Sequence, residues 1–311
     1  MANKNKALFI FNFKMKNFIL HVSILMVFVL ITIAFILHLA DGQSDPFYLK
    51  ISSPKQSNFI LGTSKSAQGL QPKYFEDVLN KSFYNYSFTI GVSPYGKTYL
   101  GSIKNKLDTL NKNTINIITV DIWSISSKTK NPNDSLHFRE TYSFLKNVTN
   151  VTDNPNYKYL INYFESKYYN ILINKSPFLL HNDGWLEIFI SNNTNIERKT
   201  SFTLESYKKK VTQYQFSSIR LKYLIKTINT LKKNGRVFIV RLPIHPELST
   251  IENEIEINFN SLIKPAIEAS NGYLDMSSYN EKCSYTDGVH LNKESGEVVS
   301  NIISNWIKNM K

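Results

Sequence analysis

The pattern of apolar and polar positions divides the chain into two unequal parts. Near the N-terminus, Phe18 to Leu39 reads FILHVSILMVFVLITIAFILHL and contains no Asp, Glu, Lys or Arg. A helix rises about 1.5 Å per residue, so about 20 residues cross the hydrocarbon core of a bilayer. The stretch predicts a transmembrane helix over residues 18–39, with residues 1–17 before it. A cleavable signal peptide is the alternative, but its apolar core usually runs only about 7–15 residues. His38-Leu39-Ala40 is also a poor small-x-small cleavage site. Lys4, Lys6, Lys14 and Lys16 precede the segment, whereas Asp41 and Asp45 follow it. That lysine bias puts the N-terminus in the cytoplasm and the rest of the chain outside.

Beyond the apolar segment, continuous apolar runs alternate with helical spacing. Residues 40–57 are polar, contain Pro46 and Pro54, and predict a linker. Its contour of about 17 residues cannot exceed roughly 60 Å. Asn58 to Ser64 is an apolar run closing on a glycine, the pattern of a buried strand and a tight turn. Residues 72–81 predict a helix, 87–92 a strand, 99–110 a helix and 115–123 a strong buried strand. An aromatic-rich helix is expected over 156–173, and one long helix over 207–234. Val237 to Leu242 is another apolar strand, 255–269 a helix, 273–276 a short strand and 293–310 an amphipathic helix. Strands apolar on both faces and alternating with helices indicate a parallel sheet covered on each side. The expected fold is a three-layer α/β/α sandwich over residues 58–311, with residues 128–206 breaking the rhythm as an insertion.

Charge and cysteine content narrow the setting. The formal net charge is +13, from 37 Lys plus Arg against 24 Asp plus Glu. Such a balance attracts anionic partners. It also accompanies the joint richness in Lys, Asn, Ile and Tyr that AT-rich genomes produce. No basic run with interleaved aromatics marks a nucleic-acid surface, so no nucleic acid is expected as a partner. Cys283 is the single cysteine and forms no disulfide within the chain. An extracytoplasmic domain without disulfides fits a bacterial envelope better than an animal secretory pathway.

Candidate chemistry gathers at predicted strand ends, where open α/β sheets place their sites. Gly62-Thr63-Ser64-Lys65-Ser66 follows the first strand. Glycine permits a sharp turn there, and the next helix would offer backbone N–H groups to an oxyanion. A plain strand-to-helix turn has the same composition, and Ser66 competes with Ser64 as nucleophile. Asp287-Gly288-Val289-His290 lies just before the last helix. An Asp three residues before a His can orient the imidazole as a base, and an Asp-Gly turn bearing a surface histidine reads the same way. Gly91, in Gly91-Val92-Ser93-Pro94, and Asp121, in Val120-Asp121-Ile122-Trp123, are candidates for an oxyanion hole. Arg241, after another strong strand, is a site-lining candidate for binding an anion or pairing a buried acid such as Asp121. His245 lacks an adjacent orienting acid, and His181-Asn182-Asp183-Gly184-Trp185 reads as a turn. None of this chemistry requires a metal or another cofactor.

Together, Gly62-Thr63-Ser64 after the first strand and Asp287…His290 before the last helix resemble the SGNH hydrolase superfamily. The single N-terminal anchor makes the layout similar to that of the DltD-like members. Trp123 matches the tryptophan of their Ser-Pro-Gln-Trp strand-end motif, although the preceding three residues differ. The resemblance implies Ser64 as nucleophile, His290 as base and Asp287 as its orienting acid. It implies a membrane-anchored esterase or O-acyltransferase working on an envelope polysaccharide or acyl carrier, beside a membrane O-acyltransferase. The GxND motif that supplies the family's oxyanion asparagine is missing here. A non-catalytic envelope assembly or glycan-binding protein on the same fold is the competing expectation.

Overall fold

Alternation within the strands sets the architecture of the domain. We describe the protein from a computed structural model covering residues 4–173, 175–191 and 193–310; Met1–Asn3 of the expected N-terminal segment lie outside the described residues. The chain runs through helix α1 (Lys4–His38), helix α2 (Tyr48–Ser52), strand β1 (Phe59–Leu61), helices α3 (Ser64–Gly69) and α4 (Pro72–Leu79), and strand β2 (Tyr84–Asn85). Helix α5 (Lys97–Lys106) and strand β3 (Thr114–Thr119) follow, then a long excursion ending in helices α6 (Ile196–Val211) and α7 (Ser218–Leu231). Strand β4 (Gly235–Arg241), helix α8 (Pro246–Asn253), strand β5 (Gly272–Asp275) and helix α9 (Lys293–Asn309) complete it.

The five strands form one parallel sheet in the order β2-β1-β3-β4-β5. Successive side chains of a strand point to opposite faces. Phe59, Leu61, Ile118, Val237 and Ile239 accordingly join the core on one face, with Tyr99, Leu224 and Ile228 of α5 and α7. Ile60, Ile115, Ile117, Phe238 and Val240 face the other way, onto Phe75 of α4 and Val299, Ile303 and Ile307 of α9. This is the three-layer sandwich expected from the apolar strands. The strand order reverses between β1 and β3, the switch point at which such sheets carry their sites.

Helix α1 is long and apolar enough to cross a membrane. Within Lys14 to His38 the most apolar 18 residues have a mean hydropathy of 2.8, and none of that stretch is buried in the protein. Residues from Phe18 to Phe35 are exposed on every side of the helix, as suits a lipid surround.

Residues 41–57 correct the expectation of a linker. Phe47, Tyr48 and Ile51 are buried in the core, together with Leu37 and Ala40 at the end of α1. Lys50 Nζ donates to Ser87 O at 2.5 Å, and Lys106 Nζ donates to Ser53 O and, at 2.6 Å, to Val151 O. Burial pulls both ammonium groups down to about 7. Asp45 Oδ1 accepts from the N–H groups of Phe47 and Tyr48 and from Tyr159 Oη, while Oδ2 accepts from Glu165 N at 2.6 Å. Polar composition here marks buried, satisfied groups, which chain statistics do not distinguish from solvated ones.

Other boundaries moved for local reasons. The strand expected at 87–92 lies earlier, at 84–85, and Ser87 and Ser93 form buried side-chain bonds instead. The helix expected over 207–234 breaks at 212–217. There Gln215–Phe216 pairs antiparallel with Ser126–Ser127, and Ser217 caps α7 by accepting from Arg220 N. The expected helix at 156–173 reduces to Tyr157–Asn162 and a turn at Tyr168–Ile171, and that at 255–269 to Phe259–Leu262 and Lys264–Ala269.

Burial pushes the Asp45 carboxyl up to about 6, against its backbone hydrogen bonds. A carboxyl raised on folding gives stability that is complete below its unfolded value of about 3.9 and lost as pH rises through the folded value. Denaturant titrations of the wild type should therefore lose stability between about pH 4 and 6, and Asp45→Asn should abolish that slope.

Candidate active site

The site is built on the turn that leaves β1. At Gly62 a Cβ would come 1.9 Å from Thr119 Oγ1 and 2.5 Å from Ser66 Oγ, and φ is +156°. Only glycine lets the chain pass β3 that closely. A two-residue turn, Gly62-Thr63, then delivers Ser64 to the start of α3. The backbone N–H groups of Ser64 and Lys65 have no hydrogen-bond partner among the described residues, as expected for the first turn of a helix.

The second half of the site comes from the loop before α9. Asp287 Oδ1 accepts from the N–H groups of Val289 and His290, each at 3.0 Å, and Gly288 takes φ +81° to close the turn. Asn292 then caps α9 by accepting from Ser295 N at 2.9 Å. This loop returns His290 to the switch point. His290 Nε2 lies 2.9 Å from Ser64 Oγ, and His290 Nδ1 lies 2.9 Å from Asp287 Oδ2. Burial pushes the Asp287 carboxyl up, but the bonds from His290 and the two backbone N–H groups outweigh it and hold it well below the usual carboxylate range. A hydroxyl facing one imidazole nitrogen, with an ionised carboxylate on the other, is a proton-transfer chain: the carboxylate fixes Nδ1–H and leaves Nε2 free to accept the serine proton.

Ser66 is separated from this chain. It is buried, donates to Thr63 O and lies 2.7 Å from Ser87 Oγ. His245 packs edge-on against Tyr285, away from the triad. His181 stacks on Trp185 and bonds Glu187 at 2.9 Å within a hairpin turn, where Asp183 Oδ1 accepts from Trp185 N.

Behind Ser64 lies a buried ionic cluster. Lys65 Nζ is 3.0 Å from Asp121 Oδ2 and 2.7 Å from Glu252 Oε1 of α8. Trp123 Nε1 donates to the same Glu252 oxygen at 2.8 Å. Burial pulls the Lys65 ammonium down, and the two carboxylates more than reverse it. Tyr207 of α6 stands edge-on to Trp123, and its phenol is raised to about 12, by burial first. Lys65 and Glu252 had no signal in the sequence beyond the position of Lys65 next to Ser64.

The remaining sequence candidates divide. Trp123 and Asp121 belong to this cluster, but Asp121 is an acceptor occupied by Lys65 and Ser124 N, and so cannot donate to an oxyanion. Arg241 lines the same cavity of about 10 Å³, room for at most one water. Its partner is Asp275 at 3.8 Å, not Asp121. Gly91 lies against the Arg139 guanidinium, where a Cβ would be 2.9 Å from Cζ, and makes no bond to the triad. Among the described residues, no group of three or more His, Cys, Asp and Glu side chains converges as a metal site.

No protein-family model and no curated protein matches the chain. Among solved structures, an acetyl xylan esterase from the rumen bacterium Butyrivibrio proteoclasticus aligns with 83% of this chain and 64% of its own, at 8% identity and a TM-score of 0.29. The chain thus spans less than two thirds of that esterase's length.

Removing the Lys65 charge leaves two buried carboxylates without a counter-ion. Lys65→Met should destabilise the domain by about 3–5 kcal/mol in denaturant melts, and replacing Asp121 and Glu252 by apolar residues in the same background should recover much of that loss.

Proposed function

We propose that the domain is a membrane-anchored serine esterase or O-acyltransferase of the SGNH type. The observation that carries this reading is the continuous Ser64–His290–Asp287 contact at hydrogen-bond distances. It favours catalysis over a purely binding role, for which no such alignment is needed.

In the reaction, Ser64 Oγ attacks an ester carbonyl as its proton passes to His290 Nε2. The oxyanion of the tetrahedral intermediate faces the unpartnered N–H groups of Ser64 and Lys65. These take the place of the missing asparagine motif. Collapse expels the alcohol, which takes the proton from His290 and leaves the acyl group on Ser64. A water or a glycan hydroxyl then attacks the acyl-enzyme, giving its proton to His290, and Ser64 recovers its own on release. With the N-terminal lysines in the cytoplasm, the domain works at the outer membrane face, on an envelope polysaccharide or acyl carrier and beside a membrane O-acyltransferase.

A fluorophosphonate probe should label the purified protein at Ser64. Labelling that survives in Ser64→Ala, or is absent from the wild type, would sink the reading.

Asp287→Asn should lower the labelling rate roughly 10³–10⁴-fold, because the amide favours the wrong imidazole tautomer. The depressed Asp287 carboxyl stabilises the fold above its unfolded value of about 3.9, and that stability is lost only as pH falls through the lower folded value. The stability difference between wild type and Asp287→Asn should therefore be flat above about pH 5 and shrink in stronger acid.

A further inference from the structure

A second cleft, of about 260 Å³, opens between the Ser126–Ser127 strand, Arg139 and the C-terminal turn of α6. Its charge is one-sided. Lys128, Arg139 and Lys210 line it, and none of the three is ion-paired among the described residues. The other charged groups and the imidazole in the wall are paired: Arg220 with Glu140 at 2.8 and 3.1 Å, and His137 with Asp134 at 2.7 Å. Burial lowers the Lys210 ammonium from the usual lysine value, and Lys128 and Arg139 lower it further. Three cations thus share one concavity without a counter-charge.

The floor of the cleft carries an independent signal. Ser126 Oγ and Arg220 Nε are buried polar atoms with no hydrogen-bond partner, and both residues line this cleft. Such atoms are rare in folded proteins and need an explanation, a missing ligand being one. A hydroxyl, a guanidinium N–H and three cations make more donors than the two coplanar oxygens of a carboxylate can use. A tetrahedral phosphate offers more oxygens and up to two charges. Arg139 packs where a side chain at Gly91 would be, so the glycine leaves room for its guanidinium.

The cleft connects to Ser64 only through a relay of packed side chains. Tyr214, in its wall, stacks edge-on against Trp123 at 5.2 Å, and Trp123 donates to Glu252, the partner of Lys65 beside Ser64.

We propose that this cleft is an anion-binding site that takes a phosphate group from the aqueous phase. The binding does not rest on the esterase reading above.

The test is calorimetric titration of the full-length protein, in nanodiscs of uncharged lipid, with inorganic phosphate, using acetate as control. Saturable phosphate binding is expected, weakened roughly tenfold or more by Arg139→Gln and by Lys210→Gln, and also weakened by Ser126→Ala. Arg139 and Lys210 are exposed, so these variants leave the core intact. Ser64→Ala should bind phosphate as the wild type does. Binding that persists while fluorophosphonate labelling fails would sink the esterase reading alone. The site is overturned if phosphate does not saturate, if acetate binds equally well, or if the Arg139 and Lys210 variants stay within about twofold of the wild type. Displacement of phosphate by anionic lipid in the nanodisc would assign the cleft to a lipid headgroup and overturn its assignment to a phosphate of the aqueous phase.

Discussion

A single buried ammonium governs where Ser64 can stand. Lys65 follows Ser64 directly, and its side chain runs back under the turn to the carboxylates of Asp121, beyond β3, and Glu252, on α8. One residue therefore ties three elements together at the place where the strand order reverses. Because the cluster is desolvated, removing any one charge strands the others, so the three residues hold or fail together. Ser64 inherits that rigidity. Its position is fixed from behind by Lys65 and from the side by the Gly62 turn, which lies too close to Thr119 for any other residue. His290 has only to be delivered to it, and the hydrogen-bonded loop of Asp287 does so.

The two halves of the site also differ in how they are held. The serine side is anchored in the sheet and by buried charge. The histidine side is a largely buried loop stabilised by its own carboxylate, which serves as both turn former and imidazole partner. Asp287 accepts from two backbone N–H groups and from the ring together. Loss of that carboxylate therefore disturbs loop shape and proton affinity in one step.

Much of this was legible in the sequence, and what was missed has a common cause. Continuous apolar strands gave the sheet, because burial on both faces leaves no polar positions. Gly62, Ser64, Asp287 and His290 stood out since a turn glycine and short spacings constrain local geometry. Lys65, Glu252 and the cleft of Lys128, Arg139 and Lys210 did not, because their meaning lies in partners far along the chain. Residues 41–57 misled for the converse reason. Asp45 and Lys50 look like solvated polar residues, yet their hydrogen bonds close inside the domain. Arg241 stands at a strand end as expected, and the acid nearest it is Asp275 rather than Asp121, as periodicity says nothing of which acid a guanidinium meets.

That packed segment changes what the membrane helix can do. Leu37 and Ala40 belong to the same core as Phe47 and Ile51, so helix and domain are joined without slack. With α1 in a bilayer, a flexible tether would let the active site sweep a hemisphere and meet ester groups at any height. A fused helix instead behaves as a ruler. With α1 so placed, Ser64, His290 and Asp287 would be confined to a thin shell above the lipid surface, at a bearing set by helix tilt. For the reaction proposed above, the effective concentration of substrate groups would be high within that shell, and groups outside it would be out of reach. Selectivity by altitude would thus come from the junction at residues 37–51, independently of anything the catalytic residues recognise.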